Sequence, residues 1–133
     1  MRVVVHVDGG ARGNPGPAAV AAVVADPEGT VLDESAATIG TATNNVAEYR
    51  AVLLGVERAR ALGATEVELV NDSELVARQL QGVYKVKHPA MRPLHLDATR
   101  ALRDFERWSI RSVPRAQNAQ ADALVNRALD EAA

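Results

Sequence analysis

Cysteine is absent from this chain, which excludes disulfides and thiolate metal sites. Aromatic residues are scarce, 3% of 133, so the core must be built from alanine and valine rather than from rings. Lysine is scarcer still: of 15 basic residues only Lys85 and Lys87 are lysines, both in the segment YKVKHPAMR. With Arg92 they form one basic stretch that contains no acid, either a solvated loop or a phosphate-contacting patch. Long apolar runs are missing too. The opening MRVVVHVDGG breaks at Asp8, too early for a membrane span or a signal peptide, so no membrane partner is expected and the cytoplasm is the expected compartment. The net charge of −2 argues against the broad basic surface common in nucleic-acid-binding domains.

What is there suits one domain over residues 1–133, 47% hydrophobic, with no repeat, low-complexity tract or linker. No apolar face is left over, so a monomer is expected. Residues 2–8 read as a buried strand, 18–26 as a second, PEG at 27–29 as a turn and TVLDESAAT as a third strand. In TNNVAEYRAVLLGVERARALG, Val46, Tyr49, Leu53 and Val56 share a helical stripe that stops at Gly63. EVELVND is a fourth strand and SELVARQLQG a short helix ending at Gly82. Leu94, Ala98, Ala101, Leu102 and Phe105 place a helix within 89–107, and WSIRSVP is a fifth strand. A last helix spans 118–131 with Ala121, Leu124, Val125, Ala128 and Leu129 inward.

The order βββαβααβα predicts an α/β fold with a five-stranded mixed sheet. Strands one to three are antiparallel, strands four and five run parallel to strand one, and helices cover both faces. Ligands of open α/β sheets sit beyond the carboxyl ends of the strands. Asp8 ends strand one and Asp72 ends strand four, so two carboxylates meet there if those strands are neighbours.

Each acid also has a local explanation. Asp8 before Gly9 fits turn chemistry, and Asp72 fits a cap for the helix starting at Ser73. Glu48 stands three after Asn45, near a capping-box spacing, and Asp122 lies in the first turn of the last helix, where the dipole favours an acid. The joint pattern says more. Glu48 sits at the margin of its apolar stripe, and Asp122 aligns with Val125 and Leu129. Four carboxylates converging on one crevice repel one another unless cations are present. Hard oxygen ligands suit Mg²⁺ or Mn²⁺, and two such ions are a standard device for phosphodiester displacement. The loop GGARGNPGPA, with four glycines and two prolines, lets backbone approach a ligand closely. A nucleotide-binding loop is the rival reading. It fails because Pro15 and Pro17 block a helix directly after the loop and no Gly-Lys-Ser/Thr follows.

DGGARGNPGPA, TNNVAEYRA, NDSELVARQLQG and AQADALVNRA occur in this order along essentially the whole chain. Together they resemble type 1 ribonuclease H, and the βββαβααβα layout matches that family's fold. The resemblance implies an endonuclease that cuts the RNA strand of RNA–DNA hybrids and leaves 5′-phosphate and 3′-hydroxyl ends. It makes Asp8, Glu48, Asp72 and Asp122 the catalytic, metal-binding carboxylates of a two-ion Mg²⁺ or Mn²⁺ site. Backbone near Gly9, Gly10 and Arg12, with the side chains of Asn14, Asn44 and Asn45, matches positions that contact the RNA strand. Thr43 and Asn44 match a phosphate pocket for the DNA strand, where a helix N-terminus suits an anion.

The departures resemble one branch of the family. VPRAQNAQAD is short and lacks the loop histidine of many members, leaving Arg115 as the nearest candidate for the scissile phosphate or product release. Some members of the similar branch also cut RNA duplexes, which makes double-stranded RNA a second candidate substrate. Asn71 and Glu74 stand where the family often has Thr and Gln. The basic protrusion of some bacterial members is missing, so Tyr84, Lys85 and Lys87 become the candidates for DNA-strand contacts. Such members are sometimes the N-terminal domain of a longer protein. The alternatives are a catalytically weak hybrid-binding module and another nuclease of the same fold. His6 is expected near the site without being a ligand, and His88 and His95 on the surface or on a helix face.

Overall fold

A computed structural model describes residues 1–133. Five strands, β1 (Arg2–Ala11), β2 (Gly16–Ala25), β3 (Val31–Ala42), β4 (Glu66–Asn71) and β5 (Arg107–Ser112), form one sheet in the order β3-β2-β1-β4-β5. The first three are antiparallel neighbours, and β4 and β5 run parallel to β1. The helices are α1 (Asn44–Ala61), α2 (Glu74–Leu80), α3 (Arg92–Arg103) and α4 (Ala119–Ala132), the last preceded by a 3₁₀ turn over Arg115–Asn118. The expected order and topology hold, with shifted bounds. β1 continues past Asp8 through the two glycines to Ala11, paired with Ala18 of β2, because a glycine does not end a strand that still has a partner. α3 is shorter than its apolar pattern, starting with Pro93 in its first turn and leaving Phe105 buried beyond its end.

Alternation along β1 sorts the two faces. Val3, Val5 and Val7 point into the main core with Tyr49, Val52 and Val56 of α1. The opposite face carries the small residues Ala19 and Ala21, on which Val125 and Leu129 of α4 rest. Two glycines set how closely α1 lies on β1. A Cβ on Gly55 would stand 2.6 Å from Val7 Cγ1, and one on Gly9 would stand 2.1 Å from the Ala47 carbonyl oxygen. Only hydrogen fits at those points, so the first turn of α1 is pressed against the end of β1. No helix is long and apolar enough to cross a membrane.

Candidate active site

The parallel register of β1 and β4 runs to His6 opposite Val70, and Asp8 and Asp72 each lie two residues beyond that last pair. Asp8 is opposite Ala21 of β2, on the face covered by α4, whose first turn carries Asp122. Glu48 arrives from α1, on the other side, at the carboxyl ends of the strands. All four line one crevice of about 360 Å³, together with Gly9, Gly10, Arg12, Asn44 and Arg115. The local explanations fall away for two of the acids. Ser73, not Asp72, caps α2 by accepting from the Val76 N–H at 3.2 Å. Thr43 caps α1 by accepting from the Val46 N–H at 3.2 Å, so neither Asn45 nor Glu48 belongs to a capping box.

Charge is crowded here. Asp8 is 7% exposed, and burial, then the neighbouring Asp72 and Asp122, push its carboxyl up to about 8 while Arg115 pulls it back. Burial pushes Glu48 up to about 7, with the neighbouring Ser73 hydroxyl opposing the rise and Asp72 adding to it. Asp72 is raised by burial, offset first by Arg115. Arg115 pairs with Asp122 at 3.0 Å while its own side chain is 74% exposed. One surface arginine is the only cation beside four acids in the crevice apart from Arg12, which turns away to Asp130.

The donor set therefore fits hard divalent cations: oxygen donors only, partly buried, and destabilised by mutual repulsion. As they stand, no three acids or histidines close on a point that would hold an ion. Asp122 is turned instead to Arg115, whose guanidinium donates to its Oδ1 at 3.0 Å.

The other residues singled out in the sequence divide into two groups. Around the crevice, Asn44 Oδ1 accepts from the Ala11 N–H at 2.9 Å, and Asn14 Oδ1 accepts from the Asn44 N–H at 3.0 Å. These two latch the β1–β2 loop onto the start of α1, while Asn45 is exposed beside them. The Arg12 guanidinium donates to the Asn126 carbonyl at 3.3 Å and pairs with Asp130 of α4. Away from the crevice, Glu74 pairs with Arg78 one helical turn on, and Tyr84 and Lys85 line a separate open groove between α2 and α3. Lys87 is exposed on the same segment. His6 is half-buried, its pKa lowered by burial and then by Arg111. His88 is exposed as expected. His95 lies on a face of α3, where Nε2 is 3.1 Å from the Gln79 carbonyl and the ring meets Tyr49 edge-on.

Two site residues went unmarked in the sequence. Ser73 caps α2 directly after Asp72, and its signal was a serine directly before ELVARQL. Asn118 is 1% exposed and its Nδ2 donates to the Val7 carbonyl at 2.8 Å, tying the start of α4 to the residue before Asp8. Its spacing of one turn before Asp122 was the available hint.

A family model described as "Reverse transcriptase-like" matches residues 6–128. The "Bifunctional protein Rv2228c" of Mycobacterium tuberculosis is 51% identical over 135 aligned residues, which cover all of this chain and 37% of that one. This chain thus spans little more than a third of the mycobacterial relative. The crystal structure of RNase H1 from the archaeon Halobacterium salinarum superposes with a TM-score of 0.96 at 46% identity, covering 98% of this chain and 99% of that one. LC11-RNase H1, solved in complex with an RNA/DNA hybrid, superposes at 0.94 with 43% identity and 98% coverage of each chain. The chain belongs to the reverse-transcriptase-like family and, within it, to the ribonuclease HI proteins.

Proposed function

We propose that the protein is a metal-dependent endonuclease that hydrolyses the RNA strand of RNA–DNA hybrids and leaves 5′-phosphate and 3′-hydroxyl ends. One observation carries the reading: Asp8, Glu48, Asp72 and Asp122, drawn from four elements, line one crevice, and at least three of them are held above their ordinary carboxylate range. A stack of acids that cannot all ionise alone is what a cation-binding site requires. These four residues would hold two ions, Mg²⁺ or Mn²⁺. Divalent ions bound there would activate the attacking water and neutralise charge at the leaving 3′-oxygen.

The chain's own groups then position the substrate. Asn14 and Asn44 spend their side-chain oxygens on the latch, which leaves both amide NH₂ groups as donors toward an RNA strand. Asn45 and the backbone at Gly9, Gly10 and Arg12 border the same path. The 2′-hydroxyl they would meet is what distinguishes RNA from DNA. Thr43 and Asn44 open the 18-residue α1, whose first N–H groups suit a DNA-strand phosphate. Tyr84, Lys85 and Lys87 extend the grip on that strand, with Glu74 a further contact from the start of α2. Arg115, exposed and paired with Asp122, would meet the scissile phosphate in place of a histidine. The domain acts as a monomer, in the cytoplasm.

Cleavage of a strand-labelled hybrid with Mg²⁺, Mn²⁺ or chelator tests this, beside RNA–RNA and DNA–DNA duplexes of the same sequence. Metal-dependent cutting confined to the RNA strand is expected, and cutting of the RNA duplex would widen the substrate range. Hybrid binding without cutting in either metal would instead make this a binding module.

A further inference from the structure

Gln79 is out of character for its place. It lies in the seven-residue α2, 7% exposed, on the face shared with the buried Val76 and Leu80. A buried amide is costly unless its polar atoms are paired. Those of Gln79 are paired to three different parts of the fold. Its Oε1 accepts from the Tyr49 hydroxyl at 2.6 Å, its Nε2 donates to the Lys85 carbonyl at 3.4 Å, and its backbone carbonyl meets His95 Nε2 of α3 at 3.1 Å. Tyr49 is fully buried and directly follows Glu48 on α1.

The segment on the other end of this bridge has little else to hold it. Residues 85–87 form no backbone–backbone hydrogen bond. Two of their carbonyls are held by side chains instead, Lys85 by Gln79 and Val86 by the exposed Arg92 at 3.4 Å. Of those two side chains only Gln79 is buried. The segment forms one wall of an open groove of about 690 Å³ whose lining includes Tyr84, Lys85, Arg92 and His95.

We propose that Gln79, braced by the Tyr49 hydroxyl, is a positioning residue that fixes the Tyr84–Lys85 segment relative to the helix carrying Glu48, and so sets the grip on the nucleic-acid strand the segment meets. This rests on the hybrid-binding reading above. Without the bridge the segment keeps its charges but loses its placement, so each contact must be ordered anew on binding.

The test combines Gln79→Leu and Tyr49→Phe with Lys85→Ala. Amide hydrogen exchange of the free protein comes first, and both bridge variants should speed exchange at the Val83 and Tyr84 amides, which donate to the Arg78 carbonyl at the root of the segment, by about three- to tenfold, the size of one modest hydrogen bond. In hybrid cleavage with metal, Gln79→Leu should raise KM about three- to tenfold while kcat stays within about twofold. Combined with Lys85→Ala, it should add little further, because the two changes remove one grip. Tyr49→Phe, which keeps the ring, separates loss of the bridge from loss of packing. Unchanged exchange in both bridge variants would overturn the proposal. So would KM effects of Gln79→Leu and Lys85→Ala that simply multiply, or a kcat loss with KM unmoved. A wild-type protein that neither binds nor cuts hybrid would overturn the proposed function and the grip with it. That failure is distinguishable because the exchange comparison needs no substrate.

Discussion

Asp8 is a buried carboxyl with two carboxyl neighbours, and removing its charge relieves the fold while disabling the site. Asp8→Asn should abolish cleavage of the hybrid, leave hybrid affinity nearly unchanged, and raise the melting temperature measured in chelator. Retained cleavage would remove Asp8 from the site. Arg115 is tested separately. If it meets the scissile phosphate, Arg115→Ala should lower kcat about ten- to hundredfold, in line with loss of one donor to developing charge. An unchanged kcat would leave it an ordinary surface arginine. At this scale the acids were legible because strand ends and helix margins can be read from periodicity. Asn118 was not legible. Its partner is the carbonyl of Val7, 111 residues away, and no local pattern announces a long-range bond to backbone.

Among the elements, the site depends on how α1 and α4 are seated on β1. Gly9→Ala would drive a Cβ into the Ala47 carbonyl, a backbone atom that cannot swing aside. A cost of about 1–3 kcal/mol is expected for such overpacking, seen as a lower melting temperature. Cleavage should fall as well, because the clash lies one residue from Glu48. α4 rests on a cluster of only four buried residues, so its polar tethers matter more than those of α1. Asn118→Ala would strand the Val7 carbonyl, for about 1–3 kcal/mol and a weaker Mg²⁺ affinity by calorimetry. An unaltered melting temperature and affinity would show that packing alone places Asp122. Element types followed from periodicity. Their ends did not, because β1 runs on to Ala11 only through pairing with β2, and the cap of α1 falls on Thr43 only in its folded context.

For the whole molecule, the acid crevice links stability to pH. A carboxyl whose folded pKa exceeds its unfolded value holds its proton more tightly when folded. The fold is therefore unpenalised below the unfolded values, 3.8 for Asp8 and 4.5 for Glu48, and loses stability as pH rises toward about 8 and about 7. In chelator the melting temperature should fall between pH 5 and pH 8, and saturating Mg²⁺ should flatten that fall by binding the ionised form. A melting temperature that rose over this range in chelator would contradict the crowding described here. Asp33 acts oppositely. Held below its ordinary range by hydrogen bonds from Arg58, it contributes above the unfolded value and is lost only as pH falls through its lowered one.

The sequence by itself determined the strand and helix order, the sheet topology that follows from it, and the four acids, because each is encoded in local spacing and chain order. Tertiary structure alone decided what surrounds those acids. The pairing of β1 with β4 that brings Asp8 near Asp72, the latch between Asn14 and Asn44 and the bond from Tyr49 to Gln79 join residues far apart in the chain, and even the shorter steps from Asp122 to Arg115 and from Gln79 to Lys85 need the chain between them to fold back. Such contacts exist only after the backbone has closed, since burial and geometry, not residue type, select which of many possible partners each polar group finds.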